Sequence, residues 1–85
     1  MDKLDEILEV YVDVEFQIIG GHNNAIVGVG ERFGSEPFLI YDKDLILEEF
    51  IQRDKMTYDE ALEYFSYNIL GSYVGEHTPA FITMV

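Results

Sequence analysis

Hydrophobic residues in the N-terminal arm, residues 1–20, recur at two competing periods. One period is helical, and acidic residues in the first turn suit the positive end of a helix. From Val10 onward, apolar residues also alternate with polar ones, which is the period of a strand, and many of them are β-branched. The pattern leaves two solutions: a helix that runs to about Ile19, or a helix to about Glu9 followed by a strand. We favour the mainly helical arm.

The next pattern predicts a β-hairpin. Residues 25–29 and 38–41 form two short apolar runs, and the glycine, serine and proline between them are typical turn residues. Gly28 and Gly30 lie inside the first run, where a strand would normally carry a side chain. Such glycines indicate a bulge or a close approach of another group to the backbone.

A first helix is predicted after the hairpin, and either Asp42 or Asp44 can cap its N-terminus. Arg53 lies near its end, where positive charge is favoured. Glu48 and Glu49 are expected to face solvent. The stripe that faces the core is predicted to consist of Ile46, Leu47, Phe50 and Ile51.

The start of a second helix is the clearest local signal in the chain. Thr57 and Glu60 have the spacing of a capping box, in which each side chain bonds the backbone amide of the other residue. Gly71 suits the left-handed residue that follows a helix end. The buried stripe between them is predicted to consist of Tyr58, Ala61, Leu62, Phe65 and Ile69.

The apolar residues 80–85 predict a C-terminal strand that joins the hairpin. The order of elements is then (α or β)-β-β-α-α-β. This order indicates a small α+β domain that spans residues 1–85, with the hairpin and the C-terminal strand in one sheet and two or three helices packed on one face.

Composition narrows the possible partners. The chain is 48% hydrophobic, which is typical of a folded domain, and 17 acidic against 5 basic residues give a net charge of −12. Without a basic patch, direct binding to nucleic acid or to an anionic membrane surface is disfavoured. A protein partner, and a basic one in particular, fits this charge better, although solubility alone also explains it.

Location is inferred from what the sequence lacks. It contains no cysteine, whereas small secreted domains usually depend on disulfides. Its first residues are acidic, unlike a targeting peptide, and no apolar run approaches the ~18 residues of a membrane span. We expect a cytoplasmic protein without a membrane partner.

Candidate chemistry is sparse. The glycines of GVGERFG have the wrong spacing for a dinucleotide-binding loop, and a strand follows them instead of a helix. His22 and His77 lack the spacing of metal ligands, so we interpret them as surface or turn histidines. We therefore expect no cofactor, no metal and no enzymatic activity. A small hydrolase that uses Glu31, Glu36 and Glu76, together with His77, is the less favoured alternative.

Tyrosines set among acids form the candidate interaction surface. Tyr64 and Tyr67 fall off the apolar stripe of the second helix, and Tyr73 follows in the segment GSYVGEHTP, which we interpret as a return loop. Such tyrosines either cover the edge of a small core or form the aromatic patches that dominate protein interfaces. The full candidate set is Tyr64, Tyr67, Tyr73, Glu76, Glu48, Glu49, Asp59 and Glu63.

From about residue 25 to 82 the chain resembles a group of small, mostly uncharacterised phage and prophage proteins. The shared pattern is an E-R-F-G-x-x-P step, a Tyr-Asp pair, a capped M-T-x-[DE]-E-A helix start and a closing V-G-E-x-T-P-x-F. Lys55 departs from it, because the group often has glycine there, and Asp59 stands where the group often has glutamate. The matching residues are Glu31, Arg32, Phe33, Gly34, Pro37, Tyr41, Asp42, Met56, Thr57, Glu60, Ala61, Glu63, Phe65, Asn68, Gly71, Tyr73, Val74, Gly75, Glu76, Thr78, Pro79 and Phe81.

The resemblance implies where the protein would act, but it does not imply a mechanism. It suggests a phage-type protein in the host cytoplasm that acts by binding another protein. An inhibitor or decoy of a basic, nucleic-acid-binding host protein, such as a defence effector of the CRISPR type, is the expected form. The alternative is a structural accessory protein that forms homo-oligomers through Tyr11, Val12 and the C-terminal strand.

Overall fold

Three helices and three strands make up the described part of this computed structural model, residues 3–71 and 77–85. A 3-10 turn at Asn23–Ala25 precedes the hairpin, and a π-helical turn at Ser66–Leu70 continues the third helix. The elements are α1 (Lys3–Val10), β1 (Ile26–Gly30), β2 (Phe38–Asp42), α2 (Lys43–Arg53), α3 (Tyr58–Phe65) and β3 (Ala80–Ile82).

The strands form one mixed sheet in the order β1-β2-β3. β1 and β2 are the antiparallel hairpin, whereas β3 runs parallel to β2. A parallel neighbour requires a crossover, which α2 and α3 supply between the two strands. The predicted α+β class, with a hairpin and a C-terminal strand in one sheet, is confirmed.

The hairpin contains both features that its glycines predicted. Pairing shifts between Ile26 and Gly28, so Val27 is an extra residue that forms a bulge. A Cβ atom on Gly30 would collide with the ring of Phe38, so any side chain at this position would force that ring to move.

The core lies on the face of the sheet to which Leu39 and Tyr41 of β2 point, and both are fully buried. α2 contributes a stripe close to the predicted one, with Ile51 only half-buried at its margin. The buried hydrophobic residues are Leu4, Ile7, Ile19, Ala25, Ile26, Leu39, Tyr41, Ile46, Leu47, Phe50, Ala61, Phe65 and Ile69.

The favoured prediction for the N-terminal arm, a helix to about Ile19, is wrong, because α1 ends at Val10. The alternative placed the helix end correctly, but its strand does not form in the described residues. The amide of Val14 donates to the Tyr11 carbonyl in a turn (3.3 Å), and the amide of Ile19 donates to the Tyr41 hydroxyl (2.9 Å). β-branched residues weaken the helix here, and at Ile19 a side chain takes the place of a strand partner.

Both predicted helix caps are confirmed. The Asp42 carboxylate accepts from the amides of Asp44 (2.9 Å) and Leu45 (3.3 Å), so Asp42 is the cap of α2. At α3 the Glu60 amide donates to the Thr57 hydroxyl (3.2 Å), and the Thr57 amide donates to the Glu60 carboxylate (2.9 Å). These bonds satisfy amides that have no partner within a helix, so they fix where each helix begins.

Two details of the second predicted helix are wrong. Gly71 has φ −96°, outside the left-handed region, because a π-helical turn ends this helix instead of a left-handed cap. Tyr58 is 57% exposed, since it stands in the first turn at the surface, beside the exposed Thr57.

A left-handed residue does end α2. Lys55 has φ 60° and is the one described non-glycine residue with positive φ. A side chain in this region crowds the following carbonyl, which costs about 1–2 kcal/mol. Glycine, which has no Cβ atom, would avoid this cost. Across the part of the chain that the structure describes, no helix has the length and apolar character that a membrane crossing requires.

Replacing Gly30 with alanine should destabilise the protein by about 1–3 kcal/mol, because the new methyl group collides with the Phe38 ring. Gly28→Ala is the matched control in the same strand, since a Cβ there meets no atom within 4 Å. Urea unfolding measures both. Equal losses from the two variants would show that the close approach at Gly30 is not the cause.

Lys55→Gly should stabilise the protein by up to about 1 kcal/mol in the same assay, because glycine relieves the left-handed strain. Lys55→Ala removes the same charge but keeps the Cβ atom, so it should bring no comparable gain. A gain from alanine as large as that from glycine would assign the effect to charge.

Candidate functional site

A surface groove of ≈ 350 Å³ runs along α3 and the π-helical turn. Glu63, Tyr64 and Tyr67, three members of the predicted interaction surface, lie together in it. Its lining contains two carboxylates and no cation. We call it the α3 groove, and it is lined by Met56, Glu60, Glu63, Tyr64, Tyr67 and Asn68.

The two tyrosines differ in how firmly they are held. The Tyr64 ring packs edge-on against Phe50 of α2, with centroids 5.0 Å apart and planes at 72°, and 45% of the residue remains exposed. Tyr67 lies in the π-helical turn and is 77% exposed. The Asn68 side-chain amide donates to the Tyr64 carbonyl (3.3 Å) across the same turn. The groove therefore offers one fixed ring and one open ring.

The two carboxylates have different roles. Glu60 is held by the capping box, because its side chain accepts from the Thr57 amide. Glu63 is exposed, and no described residue pairs with it. Glu63 is thus the carboxylate that is available to a cation from outside.

Three lining residues were missed in the sequence: Met56, Glu60 and Asn68. A signal for the last two existed, because positions 60, 63, 64, 67 and 68 repeat at helical spacing on the side opposite the apolar stripe. The π-helical turn has no such local signature, and it sets where Tyr67 and Asn68 point.

Other predicted members of the surface lie elsewhere. Asp59 is exposed on α3 but does not line the groove. Glu48 and Glu49 line a second groove, of ≈ 370 Å³, along α2. Tyr73 and Glu76 fall outside the described residues.

His22 lies in a turn before β1, as one of the two predicted placements had it, but it is not at the surface, because it is only 5% exposed. Its Nδ1 lies 3.2 Å from a carboxylate oxygen of Glu49, and its ring packs edge-on against Phe50, with centroids 5.2 Å apart. Nearby, the Arg53 guanidinium donates to the Gly21 carbonyl (3.3 Å). Glu49, expected in solvent, is half-buried and joins the loop before β1 to α2.

The loop between β1 and β2 carries the two carboxylates of the hydrolase alternative, Glu31 and Glu36, and the structure brings His77 to it. The Nδ1–H of His77 donates to the Pro37 carbonyl (2.7 Å), and the Tyr11 hydroxyl donates to Glu31 (2.9 Å). Both contacts attach the loop to distant segments. They engage one oxygen of Glu31 and the Nδ1 atom of His77, and so give both residues a role in positioning the loop.

Comparisons with known proteins add no family. No protein-family model, no curated protein and no solved structure matches the chain significantly. Within residues 3–71 and 77–85, no three histidine or acidic side chains come together in a group that could hold a metal ion.

Glu31 raises the pKa of the Tyr11 phenol above its ordinary value of 10.0, chiefly because their hydrogen bond favours the neutral phenol and secondarily through burial and charge repulsion. The folded state thus binds this proton more tightly than the unfolded chain. The resulting stabilisation is present below the ordinary pKa and is lost as the pH rises through the raised one.

Glu31→Gln should therefore move the pKa of Tyr11 back toward its ordinary value. The titration is followed by NMR of the tyrosine ring carbons, with Tyr11→Phe to assign the signal. Glu36→Gln is the control, since it removes one charge from the same loop and leaves the hydrogen bond intact. An equal fall in both variants would mean that overall loop charge, and not the bond, sets this pKa.

Proposed function

We propose that this protein is a non-enzymatic binding module whose α3 groove takes an arginine-bearing segment of another protein. One observation carries the proposal: Tyr64, Tyr67 and Glu63 line the same groove, and no cation lies in that lining. The ordinary explanation for exposed tyrosines, that they cover the edge of a core, accounts for Tyr64 but not for Tyr67, which is mostly in solvent.

Arginine fits this lining better than lysine. Its guanidinium group is planar, stacks on aromatic rings and offers paired donors to a carboxylate. Tyr67 supplies an open ring and Glu63 an uncommitted carboxylate. Because Tyr64 is already held against Phe50, little side-chain freedom is lost when a ligand packs on it.

The net charge of −12 supports a basic partner in a second way. A field of this sign attracts cationic surfaces and raises association rates at low ionic strength. An inhibitor or decoy of a nucleic-acid-binding protein is one form of this function, since such proteins hold phosphate with arginine-rich surfaces. Carboxylates also line the grooves along α1 and α2, so we rest the proposal on the α3 groove and not on a single acidic face.

Homo-oligomerisation is the second candidate, and one observation favours it. Val10 and Val12, at and just after the end of α1, are each 74% exposed, and Val12 lines a groove with Leu8. Asp5 and Glu9 line the same groove, so two copies meeting there would bring like charges together. This repulsion is why we place the binding module first.

The binding module is tested with purified protein and two short peptides of equal length and charge, one arginine-rich and one lysine-rich. At an ionic strength of about 0.15 M, calorimetry should give tighter binding of the arginine peptide by about 1–2 kcal/mol, or about 5- to 30-fold. Tyr67→Ala should remove most of this preference, because it deletes the open ring.

Two matched controls separate the groove from overall charge. Tyr58→Ala is the control for Tyr67→Ala, because it deletes an exposed tyrosine of the same helix that does not line the groove. Asp59→Asn is the control for Glu63→Gln, because it removes one negative charge from the same helix outside the lining. Equal affinity for the two peptides, or equal losses from the groove and control variants, would refute the proposal.

A further inference from the structure

The tip of the hairpin loop presents a phenylalanine entirely to solvent. Phe33 is fully exposed (105%), although it lies within a few residues of a half-buried strand. The Ser35 amide donates to the Arg32 carbonyl (3.0 Å), and Gly34 has φ +78°, as a type II turn requires at its third residue. The turn places the Phe33 side chain at its outer corner.

The loop that carries this side chain is held on both sides. At its start, Glu31 accepts the hydrogen bond from Tyr11, which belongs to the N-terminal arm. At its end, the Pro37 carbonyl accepts from His77, which precedes β3. These two bonds join the loop to segments that are far away in the sequence.

Arg32 gives a third restraint, because its guanidinium carbon lies 5.8 Å from the centre of the Phe38 ring. The cation beside Phe33 is therefore folded back onto the hairpin and does not cover the exposed ring. Glu31 and Glu36 are exposed on either side of the tip in the sequence, and together they outweigh the single positive charge of Arg32, which is also exposed.

A single exposed hydrophobic residue is ordinary on a protein surface and needs no explanation by itself. Phe33 differs because it stands on a restrained loop. Because the backbone of the loop is already held in place, binding has to order only the Phe33 side chain, and large aromatic residues are typical anchors at interfaces. Its complete exposure shows that the folded chain gains no packing from it.

We propose that Phe33 is an anchor that inserts into an apolar pocket of a partner protein, and that basic residues at the rim of this pocket meet Glu31 and Glu36. The negative charge of the tip favours a partner protein of this kind over a lipid surface or a second copy of the chain. An anionic lipid surface would repel both carboxylates and the chain as a whole, and so would a second copy of a chain with a net charge of −12. This surface is separate from the α3 groove and does not depend on it.

The test is site-specific photo-crosslinking in the cells that naturally produce the protein. The probe is p-benzoylphenylalanine in place of Phe33, and the control carries it in place of Tyr58, an exposed aromatic residue outside the loop. We expect one discrete protein adduct from position 33 and none of the same mass from position 58.

The crosslinked protein is then purified and its affinity for the untagged chain is measured. Phe33→Ala should weaken binding by about 10- to 100-fold, as loss of an interface anchor does, without changing the thermal midpoint of unfolding. Glu36→Gln should weaken binding less and should reduce its salt dependence.

Several outcomes would overturn the proposal. They are an adduct with lipid or with a second copy, the same adduct from both positions, no adduct, or a partner whose affinity is unchanged in Phe33→Ala. A partner that is lost in Tyr67→Ala but kept in Phe33→Ala would support the α3 groove alone, so the two proposals can fail separately.

Discussion

One buried hydroxyl group joins the N-terminal arm to the central strand of the sheet. Tyr41 is fully buried in the central strand, where Ile26 is its partner on one side and Phe81 on the other. Its oxygen accepts from the amide of Ile19, a buried group that would otherwise have to give up its hydrogen bond with water. An unsatisfied buried amide costs about 1–3 kcal/mol, so this side chain, together with the buried Leu4 and Ile7 of α1, fixes the path of the N-terminal arm.

The arm, once it is fixed, contacts the hairpin loop and restrains it. Phe16 packs edge-on against Tyr11 at 5.8 Å and against His77 at 6.2 Å, so the arm and the segment before β3 meet beside the loop. Tyr11 and His77 then bond the loop at its two ends. The orientation of the hairpin tip thus follows from contacts within the whole domain, and not from the turn sequence alone.

Features that depend on adjacent residues could be predicted from the sequence, whereas features that depend on residues far away in the chain could not. The capping box at Thr57 and the bulge near Gly28 depend on a few adjacent residues, and both were found. The arm was mispredicted because the partner of Ile19 is a side chain 22 residues away, and the burial of His22 in its turn was missed because its partners lie on α2. The tyrosines of the α3 groove could be identified by helical spacing, but their grouping with Met56 could not.

The parallel pairing of β2 and β3 also bears on how the chain folds. Ile40 must meet Ala80 across the intervening helices, and such non-local pairs form late because a long loop has to close first. Until then, one edge of the central strand is open to pairing with strands of other chains. The net charge of −12 makes copies of the chain repel one another during this interval, so the acidity of the chain opposes aggregation before the sheet is complete.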